Sequence, residues 1–429
     1  MRALLLSIAV LAAGCEKTTA PGPEPQKVAP APSASTPAQA DPMPADSVTK
    51  PIAKGSNDLA FDLWQKMSAK TPGNATFSPA SISLALAMTH AGARGQTASQ
   101  MEKTLHFGDP ANVASSWGAL SKGLTSTKRP LRLRIANRLF GEKTYTFDQG
   151  FLGKMTTSFG PGAIELVDFK KSPEPVRNEI NAWVEKATEQ RIKDLLPPPA
   201  VNESTRLVLV NAIYFLADWE TEFEKTSTYD ADFSTSAATK KKVATMHTSG
   251  RQFRIAQGEG ARLLELPYKG KSASMVFVLP DKVDGLAALE KSMSAEKLSK
   301  WISELKAPSE KVLIALPRFE LAPPAIALAE HLASLGMTDA FDAGKADFSG
   351  MSAEKGLAIG TVVHKAFVKV DEKGTEAAAA TAVAMAGAGA DMSKPIEFLL
   401  DHPFLFLIVD RSSDLILFMG RVTDPSVPS

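Results

Sequence analysis

The sequence predicts an α+β protein built on large antiparallel or mixed sheets. Three observations carry this: helical apolar spacing is concentrated early in the chain, β-type runs dominate later, and neither regular βαβ alternation nor an internal repeat joins them. With 429 residues, 44% hydrophobic and 22% charged, the composition is that of an ordinary globular protein. A formal net charge of +1 provides no electrostatic footprint for nucleic acid.

The N-terminus opens with Met1-Arg2 and an apolar run, Ala3 to Ala13, too short to span a bilayer. Leu11-Ala12-Ala13-Gly14-Cys15 closes it with small residues before the chain's one cysteine, so no intramolecular disulfide can form. This resembles a bacterial lipobox, which implies a signal peptide over 1–15 and lipidation of Cys15. The alternative is a plain secretory signal that contains a cysteine. From Glu16 to about Ser56 the chain reads as a disordered tether. Nine prolines fall between Pro21 and Pro51, and few large apolar residues separate them. At about 3.1 Å per residue such a segment reaches on the order of 100 Å. Residues 57–429 then form the folded domain.

Within that domain Asn57 to Lys70 carries Leu59, Phe61, Leu63, Trp64 and Met67 at helical spacing. Ser81 to Gly92 reads as a helix started by Ser78-Pro79 and stopped by Gly92. Asn178 to Leu196 repeats the pattern through Ile180, Trp183, Val184, Ala187 and Ile192, ending at Pro197. Arg206 to Phe215 is nearly continuous β-type chain, the mark of a strand buried on both faces. Leu263–Tyr268, Ala273–Leu279 and Lys311–Phe319 follow as strands. Phe404–Val409 and Leu415–Met419, parted by Asp410 to Asp414, read as a hairpin.

Catalytic and metal-binding patterns are missing from the sequence. The histidines (90, 106, 247, 331, 364 and 402) form no zinc-spaced pair, and there is no nucleophile elbow or phosphate-binding glycine loop. No metal or cofactor is expected. Triads assemble in space, so an enzyme stays open at this point. Lys240-Lys241-Lys242 has no interleaved aromatic residues and reads as a solvated turn, with polyanion binding as the alternative.

Val368 to Ala390 (VKVDEKGTEAAAATAVAMAGAGA) fits no static element. By propensity its alanine run is helical, yet it lacks the large apolar residues of a core helix and is a poor strand. As extended chain it would present Thr375, Ala377, Ala379 and Thr381 on one face, all small enough to slide beneath covering helices. Glu376 falls on the other face, and Gly374 supplies freedom for a pivot. A disordered linker is the alternative.

Residues around this segment resemble one family. Glu372-Lys373-Gly374-Thr375-Glu376-Ala377-Ala378-Ala379-Ala380-Thr381 is similar to the hinge of inhibitory serpins. So are Asn74–Met101 with its Ser-Pro-x-Ser-Ile core, Asn181–Leu196, Asn211–Trp219, and Phe398–Val422 with Asp401-His402-Pro403-Phe404 and Phe418-Met419-Gly420-Arg421-Val422. The motifs occur in the family's order across nearly all of residues 57–425. Gln190 and Arg191 depart from its Thr-x-Gly-Lys pattern, at a helix end.

The resemblance implies a serpin fold: three β-sheets, about nine helices and an exposed reactive-centre loop. It implies a serine-protease inhibitor acting as a suicide substrate, whose cleaved loop enters the main sheet while the protease is still acylated. Ser78, Ser81, Asn211 and His364 would form the shutter, with Trp219 at the breach. Family spacing from Gly374 places the reactive bond at Ala388-Gly389, with Met385, Ala386, Gly387 and Ala390 as alternative positions. These small or unbranched residues imply a serine protease with a small apolar pocket, elastase- or subtilisin-like. A non-inhibitory serpin-fold binding protein and a cross-class inhibitor of cysteine proteases remain the alternatives. With the lipid on Cys15, the expectation is a monomer anchored in a bacterial cell envelope, periplasmic or surface-exposed, or released from it.

Overall fold

The β-type runs pair into three sheets in the computed structural model, which describes residues 43–305, 311–375 and 395–427. Nine α-helices surround them among the described residues. The hairpin Phe404–Asp410 and Leu415–Val422 pairs as expected and lies at the heart of a six-stranded antiparallel sheet. Ala273–Pro280, Ala261–Pro267 and Arg254–Gly258 extend that sheet on one side, and Ala75–Phe77 on the other. A four-stranded sheet joins Ile396–Leu399, Lys311–Pro317, Thr239–Gln252 and Thr228–Ser236 in that order.

The seven-stranded sheet positions the site. Its order is Phe319–Leu321, Thr361–Val370, Gly374–Thr375, Leu207–Asp218, Arg132–Glu142 and Ile164–Val167, with Ile326–Ala327 beside Thr361–Val370. Leu207–Asp218 alternates between two buried faces, as its continuous apolar run requires. Val208, Val210, Ala212 and Tyr214 pack beneath the helix Pro173–Ala187 through Val176, Ile180 and Val184. Ile213, Phe215 and Ala217 turn instead toward the six-stranded sheet.

The helix Pro79–His90 is buried on every side, packed against the helices Asp46–Met67 and Val113–Leu124 and against strands of both large sheets. Pro79 is its first residue, and the Ser78 side chain accepts a hydrogen bond from the Ser81 N–H.

Four expectations need correction. The first helix spans Asp46–Met67, so ordered chain begins inside the segment expected as tether; Thr49, Ala53, Gly55 and Ser56 are small residues that bury against neighbours. The helix expected to reach Leu196 ends at Ala187. Beyond it Ile192, Leu195 and Leu196 are buried in a loop, where the Asn181 amide bonds both the N–H and the carbonyl of Leu196. The run Lys311–Phe319 divides at Arg318, with Lys311–Pro317 in the four-stranded sheet and Phe319–Leu321 in the seven-stranded one. Lys240–Lys242 lies at the start of a strand and not in a turn; its exposed amines pair with acids, Lys241 with Asp424 and Lys242 with Asp232.

Candidate functional site

Thr361–Val370 and Leu207–Asp218 run parallel side by side, in register from Thr361↔Val208 to Phe367↔Tyr214. Their outer neighbours Phe319–Leu321 and Arg132–Glu142 are antiparallel to them. A parallel pair inside an otherwise antiparallel run is where one further strand fits antiparallel to both. At one end this has begun. Gly374 pairs with Asp218, and Thr375 pairs with Ala217 on one side and Val370 on the other.

Gly374 fits through close approach: a Cβ there would stand 2.0 Å from the Ala217 carbonyl oxygen. Thr375 is wholly buried, and its Oγ1 lies 2.6 Å from the Tyr268 hydroxyl. It faces the six-stranded sheet. Helix Pro173–Ala187 covers the opposite face.

The turn before Thr375 is held by the chain after Leu207–Asp218. The Trp219 N–H donates to the Lys373 carbonyl at 2.6 Å, its indole Nε1–H to the Asp371 carbonyl at 3.0 Å, and the Phe223 N–H to the Glu372 carbonyl at 2.8 Å. The Trp219 ring stacks on Tyr268, centroids 4.6 Å apart and planes 7° from parallel. Glu372 takes the Thr228 hydroxyl at 2.6 Å and the Arg318 guanidinium. Burial pushes this carboxyl up, but Thr228 and Arg318 outweigh burial and hold it below the usual range.

About 20 Å further down the seam, six residues along, lies a second polar cluster. His364 and Asn211 are register partners across the parallel seam, and Asn137 is the partner of Asn211 on its other side. The Asn211 Nδ2 lies 2.6 Å from the Ser81 carbonyl, from Ser81 Oγ and from Asn137 Oδ1. The Ser78 N–H donates to His364 Nε2 at 3.0 Å. Nε2 is therefore the acceptor, and Nδ1 carries the proton that it donates to Asn211 Oδ1. Complete burial pushes His364 down to about 3, so the imidazole is neutral.

Ser78, Ser81, Asn211 and His364 thus come together in one cluster, and Trp219 meets Asp371 and Lys373 at the sheet's end, beside the paired Gly374 and Thr375. Glu376, Ala377, Ala378, Ala379, Ala380, Thr381, the reactive-bond positions from Met385 to Ala390, and Cys15 lie outside the described residues. Sequence reading missed Asn137, Tyr268, Thr228 and Arg318. Asn137 sits unmarked in an ordinary strand, and only sheet register brings it to Asn211. Among the described residues no group of acids, histidines or cysteines is placed to hold a metal ion.

Comparison with known proteins agrees with this geometry. Residues 54–425 match a family model described as serpin (serine protease inhibitor). The chain is 40% identical over 381 residues to the leukocyte elastase inhibitor of Equus caballus, covering 87% of this chain and 99% of the relative. It is 38% identical over 391 residues to human serpin B3, with the same coverage. Among solved structures, Serpin48 of the insect Tenebrio molitor superposes with a TM-score of 0.77 at 32% identity, covering 87% and 98% of the two chains. Human thyroxine-binding globulin complexed with thyroxine superposes with a TM-score of 0.79 at 30% identity, covering 88% and 99%.

Proposed function

Because this chain belongs to the serpin family, we propose that it inhibits a serine protease as a suicide substrate, trapping it by inserting its own cleaved loop into the seven-stranded sheet. It is an inhibitor and not an enzyme. The parallel seam, wedged apart at one end by the antiparallel Gly374–Thr375, carries this reading.

Continued from Thr375↔Ala217 and Thr375↔Val370, the same register brings Glu376 beside Lys369 and Thr381 between Asn211 and His364. Thr375, Ala377, Ala379, Thr381, Val383 and Met385 would face the core, while Glu376, Ala378 and Ala380 would face helix Pro173–Ala187. Met385 would arrive opposite Leu207, where the strand begins. A reactive bond at Ala388-Gly389 leaves a short link between the filled strand and a trapped protease; Ala386, Gly387 and Ala390 are its neighbouring alternatives. The protease serine attacks the Ala388 carbonyl, the amine of Gly389 leaves with a proton from the protease histidine, and an acyl ester forms. Insertion then competes with water for that ester.

The small bait residues favour a protease with a small apolar pocket, elastase- or subtilisin-like, in keeping with relatives named leukocyte elastase inhibitor. The likeness to a thyroxine-binding globulin supports the alternative of a serpin-fold binding protein. The hinge separates the two readings, because Thr375, Ala377, Ala379 and Thr381 carry no charge, bulk or proline that would oppose insertion. Inhibition of a cysteine protease is compatible with the same bait. Cys15, after its short apolar run, supports a lipid anchor in a bacterial envelope, with a tether from Glu16 to the start of the Asp46 helix.

The test is to mix the full chain with an elastase-like and a subtilisin-like protease, then run denaturing gels and mass spectrometry. The expected product is a denaturant-stable adduct with a C-terminal peptide released that begins at Gly389. Quantitative cleavage near Ala388 with neither adduct nor a rise in melting temperature would support the binding protein instead.

A further inference from the structure

Thr375 is the last described residue of the hinge and already occupies a place in the sheet, where a side chain from outside that sheet holds it. Tyr268 directly follows the strand Ala261–Pro267 of the six-stranded sheet. Its N–H donates to the Ala273 carbonyl at 3.0 Å, and its ring is wedged between Trp219 and the edge-on Phe215, 5.1 Å away. No part of its surface reaches solvent. Burial pushes the phenol well above its usual range, so it stays a hydroxyl that can share a proton with Thr375 Oγ1.

We propose that Tyr268 is a positioning residue for loop insertion: it pins Thr375 and thereby sets the register in which the following residues enter the sheet. This inference rests on the suicide-substrate reading. Thr375 already pairs with both neighbours, so the first contact of the new strand forms before cleavage, and insertion propagates from a start that needs no search. The pin matters because side chains alternate with a period of two. A slip of one residue would turn Thr375 from its hydroxyl partner toward helix Pro173–Ala187 and reverse every later side chain. Backbone bonds alone do not discriminate among registers, since each offers the same N–H and carbonyl groups. The Thr375–Tyr268 pair depends on which side chain is present, as do the close approach that Gly374 permits and the bonds of Glu372 to Thr228 and Arg318. Tyr268 directly follows a strand of the six-stranded sheet and bridges to Trp219 at the end of Leu207–Asp218, so its hydroxyl stays with that side of the seam while the two strands separate.

The experiment compares full-chain Tyr268→Phe, Thr375→Val and Thr375→Ser with the parent, by two readouts. One is the number of inhibitor chains cleaved per protease trapped. The other is the rate at which melting temperature rises after the loop is cut by a nonspecific endoprotease, which requires no trapping. Losing a buried hydrogen bond should slow insertion about tenfold in Tyr268→Phe and in Thr375→Val, with bait cleavage unchanged. The double variant should be no worse than either single one, and Thr375→Ser should behave as the parent. A merely structural role would give additive losses that Thr375→Ser does not escape, and that result would overturn the proposal. Equal insertion by Tyr268→Phe and parent would overturn the pin alone. A parent that gains no stability on loop cleavage would overturn the suicide-substrate reading and the pin with it.

Discussion

His364 shows how one protonation state is built into the closed sheet. Its Nε2 receives the Ser78 N–H and its Nδ1–H serves Asn211, so adding a proton would set two donors against each other in a site without water access. The folded value of about 3 lies below the unfolded value of 6.5. The unfolded chain therefore binds the proton first as pH falls. The stabilisation is complete above about pH 6.5 and is lost between there and about pH 3, at roughly 1.4 kcal/mol per pH unit. We expect the urea midpoint to fall between pH 7 and pH 5, and to fall less in His364→Gln, whose amide can still accept from Ser78 and donate to Asn211. Equal slopes for the two proteins would remove His364 as the cause. The histidine itself could be singled out from the sequence only through family resemblance. Asn137, which bonds Asn211 and Ser81 in the same cluster, could not, because sheet register is a long-range property that strand patterning does not encode.

Helix Pro173–Ala187 stops in an unusual way. The Gln190 N–H reaches the Glu185 carbonyl at 2.8 Å and the Glu189 N–H reaches Lys186, a closing pattern that places a residue in the left-handed region. Glu189 (φ 51°) and Gln190 (φ 67°) occupy it, where a side chain costs about 1–2 kcal/mol. Gln190 stands where the resemblance expects glycine, so Gln190→Gly should raise stability by about 0.5–1 kcal/mol after the greater freedom of the unfolded glycine is counted. A urea midpoint unchanged or lowered in this variant would show that the Gln190 side chain makes up for its backbone. Apolar spacing could not locate this helix end, because Ile192, Leu195 and Leu196 are as buried in the loop as a helix would have made them. The same limit explains the Lys311–Phe319 run: apolar residues on both sides of Arg318 enter a core, but different sheets receive them.

For the whole molecule, the native state pairs two parallel strands directly, and a strand inserted antiparallel between them would make hydrogen bonds on both of its sides. On the suicide-substrate reading, the uncleaved protein is kinetically stable above a lower-energy inserted form. Thr375→Arg tests this at the entrance. A guanidinium at the place now held by Thr375 would face Tyr268 in a closed core, so the variant should be cleaved at the parent rate yet trap at least about tenfold less protease. Trapping as efficient as the parent's would refute insertion at this site. By itself the sequence determined the α+β class, the main strands, the family resemblance and the small, uncharged character of the hinge, because local side-chain pattern and motif order carry these. Only the tertiary structure decided which face Thr375 presents, that Arg318 reaches Glu372, that Asn137 completes the polar cluster, and that Tyr268 meets the hinge. Each of these depends on the register between strands far apart in the chain, and register is settled only when whole faces of side chains pack together.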